Sequence, residues 1–201
     1  MFIRAQNFAG SENESLFLWG ARQTGKSTLL KKMYPNSLWF DLLQTDIFER
    51  LQKHPAQFRE IVIASKSKNP VVVDEIQKIP QLLDEVHWLI ENTANRFILS
   101  GSSPRNILRS GANLLGGRAL RYELFPLVSH EIPNFDLMRA LNNGLLPRHY
   151  LAKKPKKLVS SYIGNYLREE IMAEARIRNI STFSRFLEAA AFSNGEMVNY
   201  T

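Results

Sequence analysis

The sequence predicts a three-layer α/β fold: a five-stranded parallel sheet with helices on both faces, followed by a helical C-terminal part. Two observations predict it. Short apolar runs alternate with segments of helical spacing five times in residues 1–126, with short connections, and such alternation builds a parallel sheet. After Pro126 the strand signals stop, and apolar residues recur only at helical spacing.

Residues 1–14 read as a lead-in, one short helix or strand, ending in Gly10-Ser11-Glu12-Asn13-Glu14. Residues 16–19 are the first strand. A helix runs to about Tyr34 and stops before Pro35-Asn36. Residues 38–43 are a second strand, apolar almost throughout, as a strand covered on both faces should be. Thr45 or Asp46 can cap the next helix, whose pattern of Ile47 and Leu51 continues past His54-Pro55 through Phe58, Ile61 and Val62. Val71-Val72-Val73 is β-branched throughout and gives the strongest strand signal. A helix over 80–93 carries Leu82, Leu83, Val86, Leu89 and Ile90 on one side. Residues 97–100 form a fourth strand, 105–109 a short helix, 111–117 a glycine-rich loop and 119–125 a fifth strand. Helices are expected over 127–132, 135–142, 155–178 and 182–192, with Asn194-Gly195 closing the last. The domain reading is a core over 1–126, a helical extension over 127–180 and the start of a further segment over 181–201.

The residues between the first strand and its helix carry chemistry. Gly20-Ala21-Arg22-Gln23-Thr24-Gly25-Lys26-Ser27-Thr28 fits G-x-x-x-x-G-K-[ST] in its required setting of strand, loop and helix. A triphosphate concentrates negative charge in a small volume. Backbone N–H groups of a tight loop can surround it, so Gly20 and Gly25 stand where the chain bends or approaches closely. The helix opening near Lys26 aims its positive end at the phosphates. The Lys26 ammonium reaches the outer phosphates, and the Ser27 hydroxyl can ligate Mg2+. The expected fold class is thus that of a P-loop NTPase.

Ligands of such sheets sit at the carboxyl ends of the strands. Asp74 directly follows the third strand and is placed to hold Mg2+ with Ser27. Glu75 is placed to orient or deprotonate the attacking water. Ser100, Ser102 and Ser103 end the fourth strand, where a hydroxyl can bond the terminal phosphate or the water. An ordinary turn is the competing reading, and the sequence does not choose among the three. Arg118, after Gly116-Gly117, can neutralise transition-state charge in its own subunit or on a neighbour, with Arg105 and Arg121 as weaker candidates. His54, His87, His130 and His149 show no metal spacing and read as surface or half-buried residues. Trp19 and Trp39 read as core.

The net charge of +7 permits contact with nucleic acid. Part of it is one cluster, Lys153-Lys154-Pro155-Lys156-Lys157, read as a solvated linker or helix start. Cysteine is absent, which excludes disulfides and thiolate-bound metal. No apolar run is long enough to span a membrane, and the first residues lack the pattern of a signal peptide. A cytoplasmic protein is the default.

These segments resemble a known group. The run from Gly20 to Leu30, Val73-Asp74-Glu75-Ile76-Gln77-Lys78, Phe97-Ile98-Leu99-Ser100-Gly101-Ser102-Ser103 and Gly117-Arg118-Ala119 are similar to those of prokaryotic AAA-type ATPases with a C-terminal domain of unknown function. So are Tyr166-Leu167-Arg168-Glu169-Glu170-Ile171 and Phe186-Leu187-Glu188-Ala189-Ala190-Ala191. The resemblance implies ATP and Mg2+ as ligands, residues 20–28 on nucleotide, Lys26 and Ser27 on phosphate and metal, and Asp74 on metal. It further implies Glu75 as the catalytic group, the Ser100 to Ser103 segment, with Ser102, as phosphate sensor and Arg118 as a candidate finger. Members of the group continue past the point where Thr201 stops, through a winged-helix-like segment whose first helix alone is expected here. The chain therefore reads as a truncated gene product or a fragment.

An Mg2+-dependent ATPase is the leading expectation. A nucleotide-gated nucleic-acid-binding module is the alternative, suggested by the charge and the lysine cluster. A third reading is a remnant that folds poorly, whose apolar face over 182–192 lacks its cover and whose sign would be aggregation or dimerisation through that helix.

Overall fold

The computed structural model of the chain describes residues 2–109, 115–166 and 180–193. It divides into two compact units, Met1–Ala152 and Lys153–Thr201. The first is built on five parallel strands, β1 (Ser15–Trp19), β2 (Leu38–Asp41), β3 (Val71–Asp74), β4 (Phe97–Gly101) and β5 (Ala119–Glu123). They lie side by side in the order β2-β3-β4-β1-β5.

β1, β3 and β4 have a strand on either side and are buried along their whole length. Successive side chains point to opposite faces, and both faces are covered. Phe17, Trp19, Val71, Val73, Phe97 and Leu99 enter one core. They meet Leu51 of α2 (Thr45–Lys53), Phe58 and Val62 of α3 (Ala56–Ser65), and Leu82, Val86 and Leu89 of α4 (Leu82–Asn92). Leu16, Leu18, Val72 and Ile98 enter the other core, against Leu29 and Leu30 of α1 (Lys26–Met33) and Phe8 of the lead-in. A sheet with two cores has no polar face, which is why the strand sequences show no alternation. β5 is an edge strand, and its Leu120 and Arg121 are exposed.

The strands stand where the sequence predicts them, with ends shifted by one or two residues. Several helix expectations are corrected. Neither Thr45 nor Asp46 caps α2: Gln44 holds the cap position with an extended backbone, and no side chain closes the cap. Asp46 instead sits in the first turn, where its charge favours the helix dipole. The helix does not run through His54-Pro55. Proline lacks the N–H and pushes the residue before it out of the helical region, so His54 is non-helical and α3 starts afresh at Ala56. Residues 127–132 form no α-helix, only a 3-10 turn, Ser129–Glu131.

After β5 the unit continues through short elements. α5 spans Arg105–Arg109, before β5; α6 (Leu137–Asn143) and α7 (Pro147–Tyr150) follow it. Asp136 caps α6 by accepting from the Arg139 amide at 3.0 Å. Leu127, Ile132 and Tyr150 pack with Phe2, Ala140 and Leu145 in a third small cluster. The expected short helix or strand of the lead-in is not found among its described residues, 2–14, which instead turn where the Ser11 amide donates to the Phe8 carbonyl and the Glu14 amide to the Ser11 carbonyl. The second unit contains α8 (Pro155–Tyr166) and α9 (Ile180–Phe192). Residues 167–179 and the expected close at Asn194-Gly195 lie outside the described residues. In α9, Phe183 and Leu187 are half-buried while Phe186 is 60% exposed.

Candidate functional site

Register brings the site together. Trp19 pairs with Gly101 and Asp74 with Ser100, so β1, β3 and β4 deliver their carboxyl ends to one edge.

At that edge the chain leaves β1 through Gly20. The Leu124 amide donates to the Trp19 carbonyl at 2.7 Å. This brings the chain after β5 so close that any side chain at Gly20 would overlap the Leu124 carbonyl oxygen. The loop then folds on one acceptor. The Ala21 carbonyl receives the Thr24 amide at 3.4 Å, the Thr24 hydroxyl at 2.9 Å and Lys26 Nζ at 3.2 Å. Gly25, at φ 95°, turns the chain into α1, whose first amides have no helical partner and face the loop. Lys26 is buried, and its ammonium also donates to the Gly20 carbonyl at 2.7 Å.

Ser27, one residue into that helix, donates from its hydroxyl to Asp74 Oδ2 at 2.5 Å. Asp74 is buried and also accepts from the Ser100 hydroxyl. Glu75, next in the chain, takes a left-handed conformation at φ 62°, uncommon for a residue with a side chain and frequent at functional sites. Its carboxylate receives Gln77 Nε2 at 2.5 Å. A cleft of about 320 Å³ opens beside them, walled by Arg22, Gln23, Lys26, Ser27, Thr28 and Glu75.

The three serines of the fourth strand have three different settings. Ser100 bonds Asp74. Ser102 accepts from Gln77 Nε2 at 3.3 Å. Ser103 accepts the Arg105 amide at 3.2 Å at the start of α5. Arg118 is not brought to the cleft. It precedes β5, so it stands at the amino end of the sheet, paired with Glu91 of α4. Five strand residues separate it from the phosphate-loop edge, about 16 Å at the rise of a strand. Arg121 is exposed on β5, and Arg105 is exposed on α5.

His149 corrects its expectation: it is buried, at 4% exposure. Burial pushes its imidazole below the ordinary value, with Arg148 adding to the effect, so it is neutral at pH 7. Trp19 is core as expected, whereas Trp39 is half-buried. Among the described residues no group of three or more His, Asp or Glu side chains could hold a metal.

Two features escape sequence reasoning. The first is a cavity of about 610 Å³ beside the cleft, which shares Gln23, Gly25 and Thr28 with it. Its apolar walls include Phe2, Ile3, Leu29, Met33, Pro147 and Leu151, with Arg4, Lys32 and Arg148 as its charged members. The second is Arg4. Its guanidinium donates to Glu131 Oε2 at 3.0 Å, to the Thr24 carbonyl at 2.6 Å and to the Phe125 carbonyl at 2.6 Å. It therefore ties the phosphate loop to the chain beyond β5. Glu131 in turn accepts the Ala5 amide at 2.6 Å and the Val128 amide at 3.2 Å.

A glycine-bounded loop between strand and helix, a lysine within it, and a serine bonded to the acid of a neighbouring strand define an ATPase-type, nucleotide-binding P-loop domain. The chain belongs to the AAA domain family, whose model matches residues 12–133, more than half of its length. Residues 134–201 match a domain of unknown function (DUF8612). No curated protein matches the chain. Among solved structures, the Walker-type ATPase PABY2304 of Pyrococcus abyssi is similar at 16% identity, over 91% of this chain and 71% of that one, with a TM-score of 0.44. AMPPCP-bound DnaA from Aquifex aeolicus is similar at 16% identity, over 83% of this chain and 62% of that one, with a TM-score of 0.47.

Proposed function

We propose that this chain is an Mg2+-dependent ATPase acting in the cytoplasm. The bond from Ser27 to Asp74, 2.5 Å between residues 47 apart in sequence, carries this conclusion. Chance meetings of a hydroxyl and a carboxylate are common; this one joins the two positions at which a P-loop site holds its metal. Both donors are oxygen, as a hard divalent cation requires. Ser27 and Asp74 would hold the ion, and Mg2+ bound there would supply charge that offsets the phosphates.

The chain's own groups divide the remaining work. Backbone amides of residues 20–28 and the start of α1 receive the phosphates. Lys26 supplies one positive charge from within the loop. Glu75 orients water against the terminal phosphorus and takes its proton. The new bond joins the water oxygen to that phosphorus, the bond to the bridging oxygen breaks, and ADP leaves. The 610 Å³ cavity takes the nucleoside, with apolar walls for the base. Phosphate release by the full chain with ATP and Mg2+ tests this. Chelating the metal should reduce the rate to background, and release that survives chelation overturns the metal assignment.

Arg118 serves, on this reading, a second copy of the chain, since its own cleft lies at the other end of β5. Specific activity should then rise with protein concentration. Arg118→Ala should lower it roughly 10³-fold or more, and adding a Lys26→Met chain, which keeps its arginine, should restore part of the loss. Activity independent of concentration and insensitive to Arg118→Ala removes the arginine from the mechanism.

A further inference from the structure

We propose that Gln77 is the positioning residue that aims Glu75, and that it couples this aim to Ser102. This inference rests on the reading of Glu75 as the group that orients water.

Gln77 lies in a 3-10 turn, Ile76–Lys78, which begins immediately after Glu75. Its side chain turns back between the ends of β3 and β4. Nε2 donates to Glu75 Oε2 at 2.5 Å and to Ser102 Oγ at 3.3 Å. The assignment of the amide follows from chemistry, because an ionised carboxylate only accepts and must face the NH2 end. The other end of the amide, Oε1, is buried without a hydrogen-bond partner among the described residues. An unpaired buried acceptor works against stability. A methionine or leucine would fill the same space without that penalty, so packing alone does not account for an amide here.

The surroundings are shaped to hold this amide. Gly101 ends β4 beneath it, and a Cβ there would overlap Gln77 Oε1 and lie 2.6 Å from the Trp19 ring. With Trp19 and the backbone of Gly101 as its floor, the amide has little room to turn. Glu75 is itself held in a left-handed backbone conformation. Its position is therefore set from two sides, by its own backbone and by the Gln77 bond. Ser102 is the second acceptor of the same NH2 group. A phosphate oxygen that accepts from the Ser102 hydroxyl fixes the oxygen to which the amide holding Glu75 also donates. Occupancy of the terminal phosphate position and the aim of the water-orienting carboxylate are thereby linked through one side chain.

The experiment compares Gln77→Met, Glu75→Gln and the double variant with the unaltered full chain. Phosphate release, nucleotide affinity and thermal midpoint are measured for each. Gln77→Met should lower kcat about ten- to hundredfold, the scale of a misplaced catalytic group, with nucleotide affinity changed by less than about threefold. In the Glu75→Gln background the same change should have no further effect on rate, because there is no carboxylate left to aim. If Gln77→Met does not fold, Gln77→Glu decides by the same criteria, since it keeps the volume and removes the NH2 donor. Full kcat in the single variant overturns the proposal. So does a rate loss that persists undiminished in the Glu75→Gln background. A Glu75→Gln chain with unaltered kcat instead removes the role of Glu75, a failure distinguishable from the first because it does not depend on residue 77.

Discussion

Glu75→Gln is expected to lower phosphate release roughly 10²–10⁴-fold, the range over which a positioned general base contributes. The substitution keeps shape and hydrogen-bonding capacity, so the cleft should stay intact. What it removes is the negative charge that polarises water and the ability to take its proton. Removing that charge from beside a triphosphate should also tighten nucleotide binding slightly, since like charges repel across the cleft. The expected signature is therefore a split: kcat collapses while affinity is retained or improved. Single-turnover phosphate release combined with a nucleotide titration measures both. Equal rates in the two proteins would exclude Glu75 from the chemical step. A parallel loss of rate and affinity would make its role one of binding.

Arg4→Met is expected to destabilise the first unit by about 3–5 kcal/mol, the usual cost of removing one partner of a buried ion pair. The side chains of Arg4 and Glu131 are only 9% and 3% exposed. Methionine fills much of the space of the arginine stem but leaves the Glu131 carboxylate without its cation and the Thr24 and Phe125 carbonyls without a donor. The thermal midpoint should fall by roughly 10 °C or more for a unit of this size. Replacing Glu131 by Gln in the same chain should recover part of the loss, because the stranded charge is then gone. A midpoint unchanged by Arg4→Met would show that the pair contributes nothing. Acid should act on the same contact. Burial alone would raise the Glu131 carboxyl, but the Ala5 amide, the Arg4 guanidinium and the Val128 amide outweigh it and hold the group below its ordinary value of 4.5. Folded Glu131 thus binds its proton less readily than unfolded Glu131. Its contribution is complete above about pH 4.5 and is lost as pH falls through the lower folded value.

How much of this was legible in the sequence depended on where the information lies along the chain. The sheet was readable because its three inner strands are buried on both faces and leave continuous apolar runs, Val71-Val72-Val73 above all. The phosphate loop was readable because its parts are adjacent. Asp74 could be matched to Ser27 only through the rule that parallel strands end on one edge, and the 2.5 Å bond between them follows from it. The same rule applied to Arg118 would have put it at the wrong end of β5 for its own cleft, since it precedes the strand instead of following it. The break at His54-Pro55 was also written in the proline, but the apolar periodicity of Phe58, Ile61 and Val62 overrode it. The cavity beside the cleft left no local signal, because its walls come from residues 2–6, 23–33 and 147–151. Arg4 gave one faint sign, a lone cation between Phe2-Ile3 and Ala5 in a segment otherwise read as a lead-in.

That lone cation bears on how the protein is cut for study. The family match begins at residue 12, a natural place to start a shortened version for expression. Such a version would keep every residue of the phosphate-loop motif and discard the guanidinium that fixes the Thr24 carbonyl. Weak nucleotide binding by that version would report a missing anchor, not a defective motif.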